Sequence, residues 1–207
     1  MTSPLSQIPR PQASRFDDKK KLFLVPNYVF PPDVPQDGQE LLSRYWSEVR
    51  DSIASLERSL GAVSHVYHEF IYLDGDDGLA QIEMMNPSAG PFIRAMCQST
   101  ARLQALEDAE LVHEHTDWQR IITIGPASQK VMTAAIEGYQ STLETRYANM
   151  AEKISEDLSE GQSAALFIRE DHRVQFPGDM QVFFVAPRAL DDLKRWLDSY
   201  LNQANPV

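Results

Sequence analysis

The 207-residue chain holds one cysteine, Cys97, so it can form neither an internal disulfide nor a cysteine-rich zinc finger. That usage fits a reducing, cytoplasmic setting. No apolar run approaches the roughly 20 residues of a membrane-spanning helix. Residues 1–21, "MTSPLSQIPRPQASRFDDKKK", lack the apolar core of a signal peptide and carry three prolines, which predicts a loosely ordered arm. Basic residues are scarce as well. Nineteen Lys and Arg stand against 30 Asp and Glu, a net charge of −11, which disfavours nucleic acid and anionic membrane surfaces as partners. Neutral or cationic small molecules, metal ions and other proteins are the partners that remain. GxGxxG, GxSxG and P-loop motifs are all missing, which removes the commonest nucleotide and serine-hydrolase readings.

What is present describes a globular domain: 43% of residues are hydrophobic and 24% charged. Leu22–Val25, stopped by Pro26, reads as a first strand, and the proline-rich "PNYVFPPDVPQDG" as a loop. Leu42, Trp46, Val49, Ile53, Leu56 and Leu60 alternate spacings of four and three and so share one helical face, with Gly61 as its cap. "SHVYHEFIYL" reads as a second strand. "DGDDG" at 74–78 fails the calcium-loop register, having Leu79 at the sixth position, and reads as a turn. Residues 88–116 read as helical, with Ser88 as cap and Pro91 in the first turn. "RIITIGP" is either a strand or a helix end. The longest helical pattern runs from Ser128 to Leu158. Strands at 164–169 and 181–186 follow, then a last helix marked by Leu190, Leu193, Leu197 and Leu201. This order predicts one α/β domain over 22–207, a small mixed sheet flanked by long helices.

Four places carry chemistry. "AALFIREDHRVQF" ends a greasy strand in Arg169, Glu170, Asp171 and His172, and loops at strand carboxyl ends are where α/β proteins build sites. His172 suits a metal ligand or general base, the alternative being a solvated hairpin turn. In "HVYHEFIY", alternation sends Tyr67, Glu69 and Ile71 to one side and Val66, His68 and Phe70 to the other. A glutamate in so apolar a strand must be paired, exposed or serving chemistry. "EDAELVHEHTDW" holds His113 and His115 among carboxylates, but the i,i+2 spacing favours a solvated acidic face over a metal site. Arg146 lies on or beside the apolar stripe of the long helix. It must find an anion, from Glu69, the 170–172 cluster or a ligand, unless its stem merely snorkels. Trp46, Trp118 and Trp196 sit where helix packing would use them, and Cys97 reads as a small core hydrophobe.

The segment "TRYANMAEKISEDLSEGQSAALFIREDHRV" resembles the closing segment of the TraB/TIKI/erythromycin-esterase-like superfamily, and "VYHEFIY" resembles its second strand, which delivers a glutamate. The resemblance implies a hydrolase-type pocket of peptidase or esterase kind. Glu69, Arg146 and His172 would be its catalytic residues, and Glu69 and His172 would hold a divalent metal ion. The chain departs from the family where the first strand should end in a Gly-x-x-His-like motif, having Asn27 and Tyr28 in "LFLVPNYVF". It also has Arg169, Glu170 and Asp171 rather than glycine ahead of His172. These departures imply a catalytically dead or repurposed relative.

Three functional readings follow. The first is a metal-dependent hydrolase in which Glu69 and His172 act on an activated water and Arg146 stabilises negative charge. The second is a non-catalytic module that binds a small molecule or a protein. The third is a homo-oligomer joined through an exposed apolar helix face, for which the heptad-like helix of residues 40–60 is the candidate.

Overall fold

The computed structural model describes residues 13–204. Residues 1–12 of the expected arm lie outside the described part. Residues 13–21 belong to the body of the domain: Ala13–Phe16 form a 3₁₀ turn, and the first strand already starts at Lys20. Five strands, β1 (Lys20–Pro26), β2 (Val63–His68), β3 (Arg102–Leu103), β4 (Ser163–Ile168) and β5 (Met180–Phe184), form one sheet in the order β3-β2-β4-β1-β5. Every pairing is parallel, where a mixed sheet was expected. The burial of β4 accords with this: all six of its residues are enclosed, as in parallel sheets covered on both faces.

One face is covered by four helices. These are α1 (Gln36–Leu60), α2 (Gly75–Met85), α3 (Gly90–Ser99) and α6 (Arg188–Ala204). The periodic residues of α1 are spent on this core: Leu42, Trp46, Val49 and Ile53 are buried, and Leu56 and Leu60 pack against them. The stripe that might have met a partner helix is therefore internal. Trp196 of α6 lies over Gly38 of α1, so close that a Cβ there would fall 2.4 Å from the ring. The opposite face carries α5 (Gln129–Asp157), whose Tyr147, Met150 and Ile154 press on Leu22, Leu24, Tyr67, Ala164 and Leu166. A fourth layer is formed by α4 (Ala109–Ile124), which packs chiefly on α5, with Trp118 over Gly138.

Three local readings change. "DGDDG" opens α2, which begins at Gly75 directly after Asp74, while the Asp74 side chain accepts a hydrogen bond from Ala105 N at 2.6 Å and ties this end to the loop after β3. Residues 88–116 divide into α3, the short strand β3 and α4. Leu103 and Leu106, which fit a helical period, are instead buried in β3 and the loop after it, while the Thr100 hydroxyl bonds Val63 O at 3.2 Å. Asp108 then starts α4 by accepting from Leu111 N at 2.9 Å, and Gly125, in the left-handed region at φ 70°, ends it. "RIITIGP" is accordingly a helix end. The second strand stops at His68 rather than running on to Leu73.

Candidate functional site

The strand ends at β2 and β4 meet side by side. Glu69 N donates to Phe167 O at 2.9 Å, the last rung between them, and the Glu69 carboxylate accepts from Arg169 N at 3.0 Å. Glu69 thus lies just past its strand, where alternation no longer decides which face it takes. The chain then turns abruptly: Phe70 has φ 67°, a left-handed conformation that is rare for a bulky residue and marks stored strain. Two contacts hold it there. Its amide donates to Glu107 Oε1 at 2.5 Å, and the Arg146 guanidinium lies 4.2 Å from the centre of its ring.

Arg146 occupies the middle of this knot, with its side chain fully buried. It grips Glu107 in a fork, Nε to Oε2 at 2.5 Å and Nη2 to Oε1 at 2.8 Å, and Nη2 lies 3.6 Å from Glu69 Oε1. A planar guanidinium suits such a two-point contact, which a lysine could not make. The sequence reading required an anion for Arg146 and named Glu69, which is one of its two partners. It missed Glu107, assigned to a solvated acidic face. The overlooked signal is Asp108, a helix-capping residue that places Glu107 before α4 and turned inward.

Burial raises the pKa of Glu69, opposed by the Arg169 amide and by Arg146. His115, on the underside of α4, is buried against Tyr139 with ring centres 4.4 Å apart, and its Nδ1 lies 2.9 Å from the Thr142 hydroxyl. Burial, with Arg146 and Arg169 nearby, pushes its pKa down to about 4. His68 is wholly enclosed, with Nδ1 2.6 Å from Glu69 O, and burial likewise lowers it to about 4. Buried polar atoms in and around the knot with no hydrogen-bond partner among the described residues include Arg146 Nη1, Glu69 Oε1, His68 Nε2 and His115 Nε2.

The structure therefore brings Glu69 and Arg146 together. His172 is differently placed. It is half-buried in the loop after β4, where its Nδ1 accepts from Val174 N at 3.2 Å and its ring lies against Phe176. Burial lowers its pKa, with Asp171 opposing. The resemblance implied a divalent metal on Glu69 and His172, and these residues do not fit one. The guanidinium of Arg146 faces the Glu69 oxygen that a cation would need. No group of three or more His, Cys, Asp or Glu side chains among the described residues is arranged to hold a metal ion. Nor does His113 join such a group; it is exposed and lies 3.3 Å from the Tyr72 hydroxyl. Glu170 is drawn to Lys194 at 2.7 Å and receives the Tyr28 hydroxyl at 2.6 Å, so it ties β4 to α6 and to the loop after β1.

An open trough lies beside the knot. A five-stranded sheet is about 19 Å wide and a helix about 10 Å, so α5 alone cannot cover its face. The irregular segment after β4 covers the rest, with Val174 and Phe176 packed toward Leu22 and Val182. Between α5 and this segment opens a trough of ≈ 500 Å³, floored by Leu143, Tyr147 and Ala151 and walled by Arg173 and Gln175. Burial, and after it the Glu69 charge, pushes the Tyr147 phenol up to about 12. A second hollow of ≈ 420 Å³, sharing Ala151 and Gln175, extends it along α5 to Glu156 and Pro177.

No protein-family model, curated protein or solved structure matches this chain.

Proposed function

We propose that this domain is a binding module that takes a small molecule or a short protein segment into the trough along α5. The Glu69–Arg146–Glu107 knot fixes that helix against the sheet. The observation carrying this reading is the ≈ 500 Å³ trough, of ligand-pocket size and largely apolar in its floor, set against a buried ionic cluster at the carboxyl edge of a parallel sheet. Arg146 supports a framing role, because its fork is already filled by Glu107. The net charge of −11 supports small-molecule or protein partners over nucleic acid. A cytoplasmic setting is part of the proposal, supported by the lone Cys97, whose thiol burial pushes up to about 11. Screening a fragment library against the wild type and Ala151→Trp tests it. Fragments should bind the wild type and be lost when the indole fills the trough; hits that survive the substitution contradict the reading.

A second reading has one observation in its favour. Glu69 is a buried carboxyl of raised pKa with an unpartnered oxygen, as a general acid requires, and the resemblance to the erythromycin-esterase-like group supports a hydrolase. On this reading Glu69 shuttles the proton and Arg146 steadies its charge. Peptide and ester turnover that disappears in Glu69→Gln, with an unchanged fold, would favour it; turnover equal in both proteins would end it.

A further inference from the structure

The rim of the trough says what kind of ligand it would take. Glu144, Glu152 and Glu156 follow one another along α5 at multiples of four residues; Glu144 lines the trough, and Glu152 and Glu156 line its extension. None of them enters an ion pair among the described residues, whereas neighbouring charges are matched: Lys153 with Asp157 at 3.6 Å, and Lys20 with Asp179 at 3.4 Å. On the opposite wall Arg173 stands across from Glu144 at the upper end. Glu152 and Glu156 stand at the lower end above a floor made by Ala151 and closed by Pro177, where the Lys20 ammonium, bonded to Ser155 O at 2.8 Å, is paired with Asp179 rather than with either of them.

Spacing narrows the ligand further. Four helical residues advance about 6 Å, and alternate residues of an extended chain advance about 6.6 Å. An extended peptide lying along α5 would thus set successive outward side chains against Glu152 and Glu156, with the side chain between them facing the apolar floor. Resting on the binding-module reading, we propose that the trough binds an extended peptide carrying basic side chains at alternate positions and an apolar residue between them. The partner is a basic, unstructured segment of another protein. The row of unpaired carboxylates supplies the preference for positive charge, and half-buried Ala151 with Pro177 supplies the apolar contact at the lower end.

The test uses the full chain with a fluorescently labelled Lys-Val-Lys-Val-Lys peptide, followed by anisotropy at two salt concentrations, beside the permuted Lys-Lys-Lys-Val-Val. The alternating peptide should bind more tightly than the permuted one, and the double variant Glu152→Gln/Glu156→Gln should weaken it roughly five- to tenfold, two exposed ion pairs being removed. Both positions are exposed, so the variant folds, and an unchanged melting midpoint confirms it. Equal affinity for the two peptides, or undiminished binding by the double variant, overturns the proposal. If neutral fragments occupy the trough and the basic peptide does not, this inference fails and the binding-module reading stands. If neither binds there, both fail.

Discussion

Arg146 and its two carboxylates are the residues on which the carboxyl edge depends. A buried guanidinium with a filled fork is costly to dismantle, because removing it strands Glu69 and Glu107 as uncompensated buried charges. Arg146→Met should therefore lower the unfolding free energy by about 3–5 kcal/mol. The triple variant Arg146→Met/Glu69→Gln/Glu107→Gln should recover part of that loss, and denaturant titration of these two variants beside the wild type reads the difference. His68 gives a pH-dependent counterpart. Its folded pKa of about 4 lies below the ordinary 6.5, so the folded state favours the neutral ring. The stability this represents is complete above pH 6.5 and is lost as the pH falls toward 4, by about 3 kcal/mol. His115 acts in the same direction and over the same window. Glu69 acts oppositely: its raised pKa means that burial penalises the charged form, a penalty relieved as acid protonates it. His68→Phe should flatten the stability profile between pH 6.5 and 4, and a profile as steep as the wild type would contradict the assignment. At this scale the sequence exposed the need for a partner at Arg146 and at Glu69, since charge within an apolar pattern is costly wherever it falls. It hid Glu107, whose inward turn depends on Asp108 capping α4 and on strained Phe70, both consequences of the tertiary fold.

Among the elements, α4 has the weakest tie to the sheet. It packs chiefly on α5, and the hairpin they form leaves Ile124 and Val131 exposed at its tip. Its amides should exchange earlier than those of α5 or β4, which hydrogen exchange with residue-level readout will show. The joint between the two helices is Trp118 over Gly138, where an added Cβ would lie 2.4 Å from the indole. Gly138→Ala should cost about 1–3 kcal/mol by overpacking and advance exchange in α4 specifically. The long helices α1 and α5, and α6 from its leucine spacing, were legible in the sequence. The 88–116 region was not. Leu103 and Leu106 satisfy a helical period by coincidence, while two residues of β3 pair with His65 and Val66, a long-range contact that no local window contains. Likewise the second strand was overextended, because "EFIY" has strand composition but Glu69 and Phe70 are recruited by the knot.

At the scale of the whole molecule, the sheet is covered unequally: four helices on one face, and one helix with an irregular segment on the other. The asymmetry places the trough. The sequence signalled a layered α/β domain, because strands and helices alternate; the all-parallel pairing follows from connections that the linear order cannot reveal. The fate of the strand ending "FIREDH" is also settled at this scale. Its Arg169 amide braces Glu69 inside the knot, Glu170 reaches Lys194, and His172 folds back onto Val174 N in the loop after β4.

The measurement that tests the account most directly is an amide-shift map of the isotope-labelled domain titrated with the fragments that bind it. Shifts should concentrate at Leu143, Tyr147, Ala151 and Gln175, with smaller changes carried to Arg146 and Glu69. Shifts clustered on another surface, or no saturable shifts along α5, would contradict a binding function for this trough.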